Sequence, residues 1–304
     1  MDYVLKTNGL CKQYRKFNAL NGLTMNVPKG AIYGFVGKNG AGKTTLIRLI
    51  CGLQQPSGGE FELYGAKNTD KGIYNSRRRT GAVVETPSIY LDMTAEDNLK
   101  YQYRILGMPS FDGLQELLEL VGLGNTGKKK AKHFSLGMRQ RLGIAVALCG
   151  SPDFLILDEP INGLDPQGII EMRELILKLN RERQITVLIS SHILDELSKL
   201  ATHYGFIDGG RIVREMSAQE LDDACRKCMR MTVTDTKALA RVLDADGIEY
   251  KILDGTTADI YAKPKFSQLV ARLAEQDCEV ITVTEHDESL ESFYMSLVGG
   301  VEHD

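Results

Sequence analysis

The sequence predicts an α/β domain that carries an inserted block of helices and is followed by a small α+β domain. Three observations lead there. Over residues 1–220, short apolar, β-branched runs alternate with segments of helical period. Between about 94 and 150 the strand signals stop and helical spacing takes over. Over residues 221–304 strands return in a different order, and 304 residues accommodate two domains at about 150 each.

The elements follow in turn. Leu23–Val27 and Ile32–Val36 are strand-like runs separated by the turn Pro28-Lys29-Gly30. A glycine-rich loop follows Val36, then a helix over Thr44–Cys51 with Gly52 as its stop. Arg79–Val84 reads as a further strand. Within the helical block, Leu114, Leu117, Leu118 and Val121 share one helix face. Phe154–Leu157, a helix over Ile169–Leu179 and Thr186–Ile189 form a strand–helix–strand unit, which implies parallel pairing. In the second domain Met229, Met231 and Val233 alternate with polar residues. Strands at Ile248–Leu253, Ala258–Ala262 and Val280–Thr284, with helices at Lys237–Leu243 and Phe266–Ala274, complete β-α-β-β-α-β, the ferredoxin-like order. A last helix places Leu290, Phe293, Tyr294 and Leu297 on one face.

Composition narrows the function classes. Apolar residues make up 43% and charged residues 25%, ordinary globular usage. With 37 Lys and Arg against 40 Asp and Glu, the net charge of −3 offers no general attraction to nucleic acid or anionic lipid. The longest apolar run, Leu142–Cys149, is far short of the ~18 residues that suggest a membrane span. Met1-Asp2-Tyr3 opens no signal peptide, so a cytoplasmic location is expected. Cys225 and Cys228 form a lone C-x-x-C without a second pair or neighbouring histidines, and read as small residues near a strand start. Lys128-Lys129-Lys130-Ala131-Lys132 reads as a solvated linker. Glycine, at 30 residues, is in surplus, and much of the surplus lies in a few short loops.

Gly37-Lys38-Asn39-Gly40-Ala41-Gly42-Lys43-Thr44 fits G-x-x-x-x-G-K-[ST] between a strand and a helix. Its glycines let the backbone curl so that N–H groups converge on a polyanion, and the helix N-terminus points at the same place. Lys43 can reach the β- and γ-phosphates, and the Thr44 hydroxyl can ligate Mg²⁺. The apolar run Phe154–Leu157 ends in Asp158 and Glu159, which puts two carboxylates at the carboxyl end of a buried strand. Asp158 suits the Mg²⁺ shell and Glu159 suits a general base. Together these elements point to nucleotide hydrolysis.

The remaining motifs carry a resemblance to the ATPase subunits of ATP-binding cassette (ABC) transporters over roughly residues 3–220. Phe134-Ser135-Leu136-Gly137-Met138-Arg139-Gln140 resembles that family's signature motif, and Asn162-Gly163-Leu164-Asp165 its D-loop. His192, after Ile189-Ser190-Ser191, resembles the switch histidine, and Tyr14 stands where the family stacks an aromatic ring on adenine. Taken alone, Ser135 and Gly137 also read as a helix cap and turn, and Tyr14 as an ordinary core or surface tyrosine. The resemblance implies a phosphate-loop NTPase fold with a helical subdomain, ATP and Mg²⁺ as ligands, and ATP contacts from Tyr14, Gly37, Asn39, Gly40, Ala41, Gly42, Lys43, Thr44, Thr45, Ser135, Gly137 and Asp165. It implies Glu159, His192 and Lys43 as catalytic residues. Two copies, or two paired ATPase subunits, would sandwich two ATP molecules. A separate transmembrane permease would hold them at the inner face of the membrane.

Two departures from the family pattern stand out. Leu136 and Met138 replace the commoner glycine and glutamine of the signature. Glu85 replaces the usual glutamine after Val83-Val84, and is read here as a third Mg²⁺ ligand beside Thr44 and Asp158. Both departures are similar to one subgroup, the ATPases of bacitracin-resistance and lantibiotic-immunity exporters, which implies export of an antibiotic or antimicrobial peptide. Translation and DNA-repair members of the family are alternatives, but one phosphate loop and a short helical block lack their tandem cassettes and coiled-coil insertions. A regulatory subunit without hydrolysis is a further alternative, opposed by the intact Lys43, Asp158, Glu159 and His192. A GTPase would want Asn-Lys-x-Asp, which is absent.

Overall fold

The computed structural model describes residues 2–225, 228–261, 265–286 and 290–299. The chain divides into two compact units, Met1–Ala218 and Gln219–Asp304.

The first unit is built on two sheets. A six-stranded sheet holds β3 (Ile32–Val36), β6 (Thr80–Val83), β7 (Phe154–Asp158), β8 (Thr186–Ser191), β9 (His203–Asp208) and β10 (Arg211–Ser217) in the order β10-β9-β3-β8-β7-β6. Its pairs are parallel except β9 with β10. Strands β3, β7 and β8 are buried along their whole length, which is why they read as unbroken apolar runs. The second sheet is antiparallel: β1 (Tyr3–Tyr14), β2 (Phe17–Pro28), β4 (Gly58–Leu63) and β5 (Ala66–Lys67), in the order β2-β1-β4-β5.

Helix α1 (Lys43–Ile50) buries Leu46, Ile47, Leu49 and Ile50 in a core with Phe35, Phe61, Leu63 and Phe154 from both sheets. At α2 (Ile73–Arg78) the chain turns into β6. A polar cluster ties the sheets together: Tyr64, after β4, donates to Asp153 at the start of β7. Arg79 pairs with the same carboxylate and lies 3.8 Å over the Tyr64 ring. Burial is the strongest influence on Asp153 and pushes its pKa up. The hydrogen bonds from Arg79 and Tyr64 outweigh it and hold the carboxyl below its ordinary range.

Between β6 and β7 lie α3 (Ala95–Ile105), α4 (Leu114–Leu120) and α5 (Leu136–Leu148). Thr94 caps α3 by accepting from Asp97 N at 3.0 Å, with Glu96 and Asp97 in the first turn. Helices α6 (Pro166–Arg183) and α7 (Leu194–Ser198) connect β7 to β8 and β8 to β9.

The second unit opens within α8 (Ala218–Ala224). It contains β11 (Cys228–Val233), α9 (Thr236–Ala245), β12 (Tyr250–Ile252), β13 (Thr257–Ile260), α10 (Phe266–Ala274), β14 (Val280–His286) and α11 (Leu290–Gly299). The antiparallel order β12-β13-β11-β14 is the ferredoxin-like one. Met231, Val233, Leu239, Val242, Leu243, Leu269 and Leu273 form its core. Buried Asp259 takes two bonds from Arg230, at 2.7 and 2.8 Å. Cys228 opens β11 and Cys225 follows α8; Arg226, Lys227 and Ala262 lie outside the described residues.

Five strands were not expected from the sequence: β1, β4, β5, β9 and β10. In β1 the register shifts between Thr7 and Leu10, where Gly9 turns at φ +58°, so no clean alternation survives.

Candidate active site

The phosphate loop occupies residues 37–42, between β3 and α1. Two of its glycines have no room for a side chain. A Cβ on Gly37 would lie 2.6 Å from the Ile207 carbonyl oxygen, and one on Gly42 2.5 Å from that of Ala19. Gly42 also sits at φ +111°. Gly40, at φ +85°, faces open space. No side chain caps α1 and no acid stands in its first turn, so its N-terminal dipole is left to an anion. Lys38 and Asn39 are exposed, Ala41 is buried and Thr45 half-buried.

The carboxyl ends of β7 and β8 bring the reactive groups to that loop. Asp158, 2% exposed, accepts from Thr44 Oγ1 at 2.8 Å and from Ser190 Oγ at 2.5 Å. Lys43, 5% exposed, is buried as well. Its Nζ donates to the carbonyls of Gly37 at 2.6 Å and Lys38 at 3.2 Å. It also stands 3.2 Å from Glu159 Oε1, an ion pair without the angles of a hydrogen bond. Glu159 Oε2 is 2.9 Å from His192 Nδ1. The Glu159 backbone is held at φ +50°, its N–H shared between Ser190 O at 3.2 Å and Ser190 Oγ at 3.0 Å. Lys43, Thr44, Asp158, Glu159 and His192, five of the predicted residues, therefore form one connected cluster.

That cluster suits Mg²⁺. Thr44 and Asp158 offer hard oxygen donors already within hydrogen-bond reach of each other, and Glu159 Oε1 is buried without a hydrogen-bond donor. Among the described residues no three His, Cys, Asp or Glu side chains gather as a metal cage. An ion held by one carboxylate, one hydroxyl and substrate phosphates needs none.

The predicted residues outside the phosphate loop have other partners. Glu85, at φ +59°, pairs with Arg48 on α1. Ser135 caps α5, accepting from Met138 N at 3.2 Å. Asp165 caps α6 by accepting from Gly168 N at 3.1 Å, ahead of Pro166 at the first helical position. A Cβ on Gly137 would meet Leu164 at 3.7 Å, and one on Gly163 would meet Leu136 at 3.3 Å, so signature and D-loop pack together within one chain. Tyr14, at the β1–β2 hairpin, donates to Gln54, with Lys12 Nζ 5.2 Å from its ring centre. Ser190 and Arg48 were missed. Ser190 had one available signal, a hydroxyl run closing an apolar strand; Arg48 on a helix surface had none.

A phosphate loop after a central parallel strand, facing a carboxylate pair at the carboxyl end of β7 two strands away, defines a phosphate-loop nucleotide hydrolase. The family model described as ABC transporter matches residues 20–162. The bacitracin transport ATP-binding protein BcrA of Bacillus licheniformis is 40% identical over 303 residues, covering 99% of each chain. The lantibiotic transport ATP-binding protein SrtF of Streptococcus pyogenes is 44% identical over 212 residues, covering 70% of this chain and 90% of its own. In structure, cbiO1 from Clostridium perfringens, part of the ABC transporter complex cbiONQ, aligns with a TM-score of 0.65 at 26% identity, covering 81% and 96% of the two chains. The chain belongs to the ABC transporter family. It is an ATPase subunit of that family, with ATP as substrate and Mg²⁺ as cofactor.

Proposed function

We propose that this chain hydrolyses ATP to power export of an antibiotic or antimicrobial peptide through a separate membrane permease, from the cytoplasmic face of the membrane. The observation that carries the hydrolytic half is the His192–Glu159–Lys43 chain beside Thr44 and Asp158. The bacitracin and lantibiotic transport relatives support the export half. No helix among the described residues is long and apolar enough to cross a membrane, so the reading assigns the pore to another polypeptide.

In this reading the γ-phosphate lies over the N-terminus of α1, where Lys43 balances its charge. Thr44 and Asp158 would hold Mg²⁺, which would supply neutralisation of the phosphate charge. Glu159 takes a proton from the attacking water as the new O–P bond forms, and the bond from Pγ to the bridging oxygen breaks to release ADP. His192 orients the Glu159 carboxylate. Ser135, Gly137 and Asp165 face a second ATPase subunit and complete its nucleotide site. Residues 221–304 form an accessory domain that supports or regulates pairing; its deletion, followed by ATPase and sedimentation measurements, tests that role.

Glu159→Gln is the decisive variant. Turnover falls by about 10²–10⁴-fold, ATP binding persists, and light scattering shows a dimer that forms with ATP and does not open. Full ATPase activity in a strictly monomeric preparation overturns the reading.

A further inference from the structure

Strand β14 is one end of the sheet in the second unit, and among the described residues it is bonded to β11 alone. The opposite end is blunted, because β12 is three residues long with Lys251 at its centre. β14 has neither device. It runs for seven residues, and Val280-Ile281-Thr282-Val283-Thr284 are all β-branched, with no charge and no proline. A register shift against β11 lies between Val280 and Thr282 and leaves Thr282–His286 regularly paired. Ile281 is 59% exposed. Val283 is 36% exposed although Met231 opposite it is fully buried, so the apolar side of the sheet continues to its open edge.

Charge decides what fits there. In the unit Gln219–Asp304, Asp and Glu outnumber Lys and Arg two to one, in a chain that is nearly balanced as a whole. Glu275, Asp277 and Glu279 stand exposed before β14, and Glu285 is exposed near its end. A second copy fits poorly. Pairing β14 with itself about Thr282, which sets Ile281 against Val283, also brings Glu279 opposite Glu285. A segment with a β-branched centre and basic ends suits the same edge, and cytoplasmic loops of membrane proteins carry an excess of Lys and Arg. We propose that β14 receives a basic, extended segment from a cytoplasmic loop of the permease as an added strand. Main-chain bonds supply the attachment and the flanking acids the selectivity. The inference rests on the reading above that the pore belongs to a separate polypeptide.

Fluorescence anisotropy of a labelled synthetic peptide, alternating Val and Thr between paired lysines, tests the proposal on the full chain. The peptide binds and slows deuterium exchange across residues 280–286. A version with glutamates in place of the lysines binds about fivefold or more weakly. Ile281→Lys, a change at an exposed position, removes binding while its melting curve shows a folded protein. Glu279→Lys narrows the gap between the two peptides about twofold or more. Equal affinity for the two peptides, binding without added protection over 280–286, or full binding by a folded Ile281→Lys protein overturns the proposal. So does nucleotide-free self-association of the wild type that Ile281→Lys abolishes, because it assigns the edge to a second copy. Displacement of the labelled peptide by bacitracin overturns it too, by assigning the edge to the exported molecule. If the peptide binds as expected and the chain hydrolyses no ATP, the transport reading fails and the strand-accepting edge stands.

Discussion

Ser190 gives the sharpest test of how the site is held together. Its hydroxyl is fully buried, donates to Asp158 Oδ1 at 2.5 Å and accepts from Glu159 N at 3.0 Å. Ser190→Ala removes a charge-assisted bond from a carboxylate that water cannot reach, and leaves the strained Glu159 backbone with only the Ser190 carbonyl. A hydrogen bond to a charged group contributes about 1.5–3 kcal/mol, and the buried acceptor is left bare. We expect a loss of about 2–3 kcal/mol. For a unit the size of Met1–Ala218 that corresponds to about 4–12 °C in melting temperature. Scanning calorimetry at neutral pH measures it, with the Mg²⁺ dependence of ATP binding as a second readout, because Asp158 is the carboxylate expected to hold the ion. A fall of under about 2 °C with unchanged Mg²⁺ dependence refutes the reasoning.

Other outcomes follow from the same geometry. Gly42→Ala drives a methyl into the Ala19 carbonyl and abolishes fluorescent nucleotide binding. Gly40→Ala meets only the conformational penalty of about 1–2 kcal/mol and retains it, since nothing lies within 4 Å of its Cβ. Asp153→Asn lowers the melting temperature at pH 7 by a few degrees at most, because its ion pair is half exposed. Its carboxyl titrates lower in the folded chain than in the unfolded one. The stabilisation is therefore present above about pH 4 and lost as the pH falls through the lowered value. Melts of wild type and variant converge below pH 4 and stay parallel above it.

Much of this arrangement was legible in the sequence because burial leaves a strong mark. Strands β3, β7 and β8 are covered on both faces, so each is an apolar run whose carboxyl end is marked by glycine, acid or hydroxyl. Two edge strands were not legible. Strand β10 is mostly exposed or half-buried and β5 is two residues long, so neither carries a hydrophobic period. Contacts that depend on the third dimension were hidden as well. Arg48 looks like any solvated arginine until Glu85 is seen beside it, and the glycine at 143 looks like a weak point in a helix until Pro87 is found against it. Glu85 was read as a metal ligand from its place in the family pattern, and in the structure its carboxylate pairs with Arg48.

With Glu159 as the proposed base, its left-handed backbone sets durability and activity at odds. A position at φ +50° favours glycine or asparagine by about 1 kcal/mol, and Lys43 would keep the Gly37 and Lys38 carbonyls if the carboxylate were gone. A library selected for heat resistance alone would therefore drift towards glycine or asparagine at this position, and would enrich for sturdy proteins that hold ATP and do not turn it over. Such variants make good reagents for trapping a closed pair, and poor starting points for a faster pump.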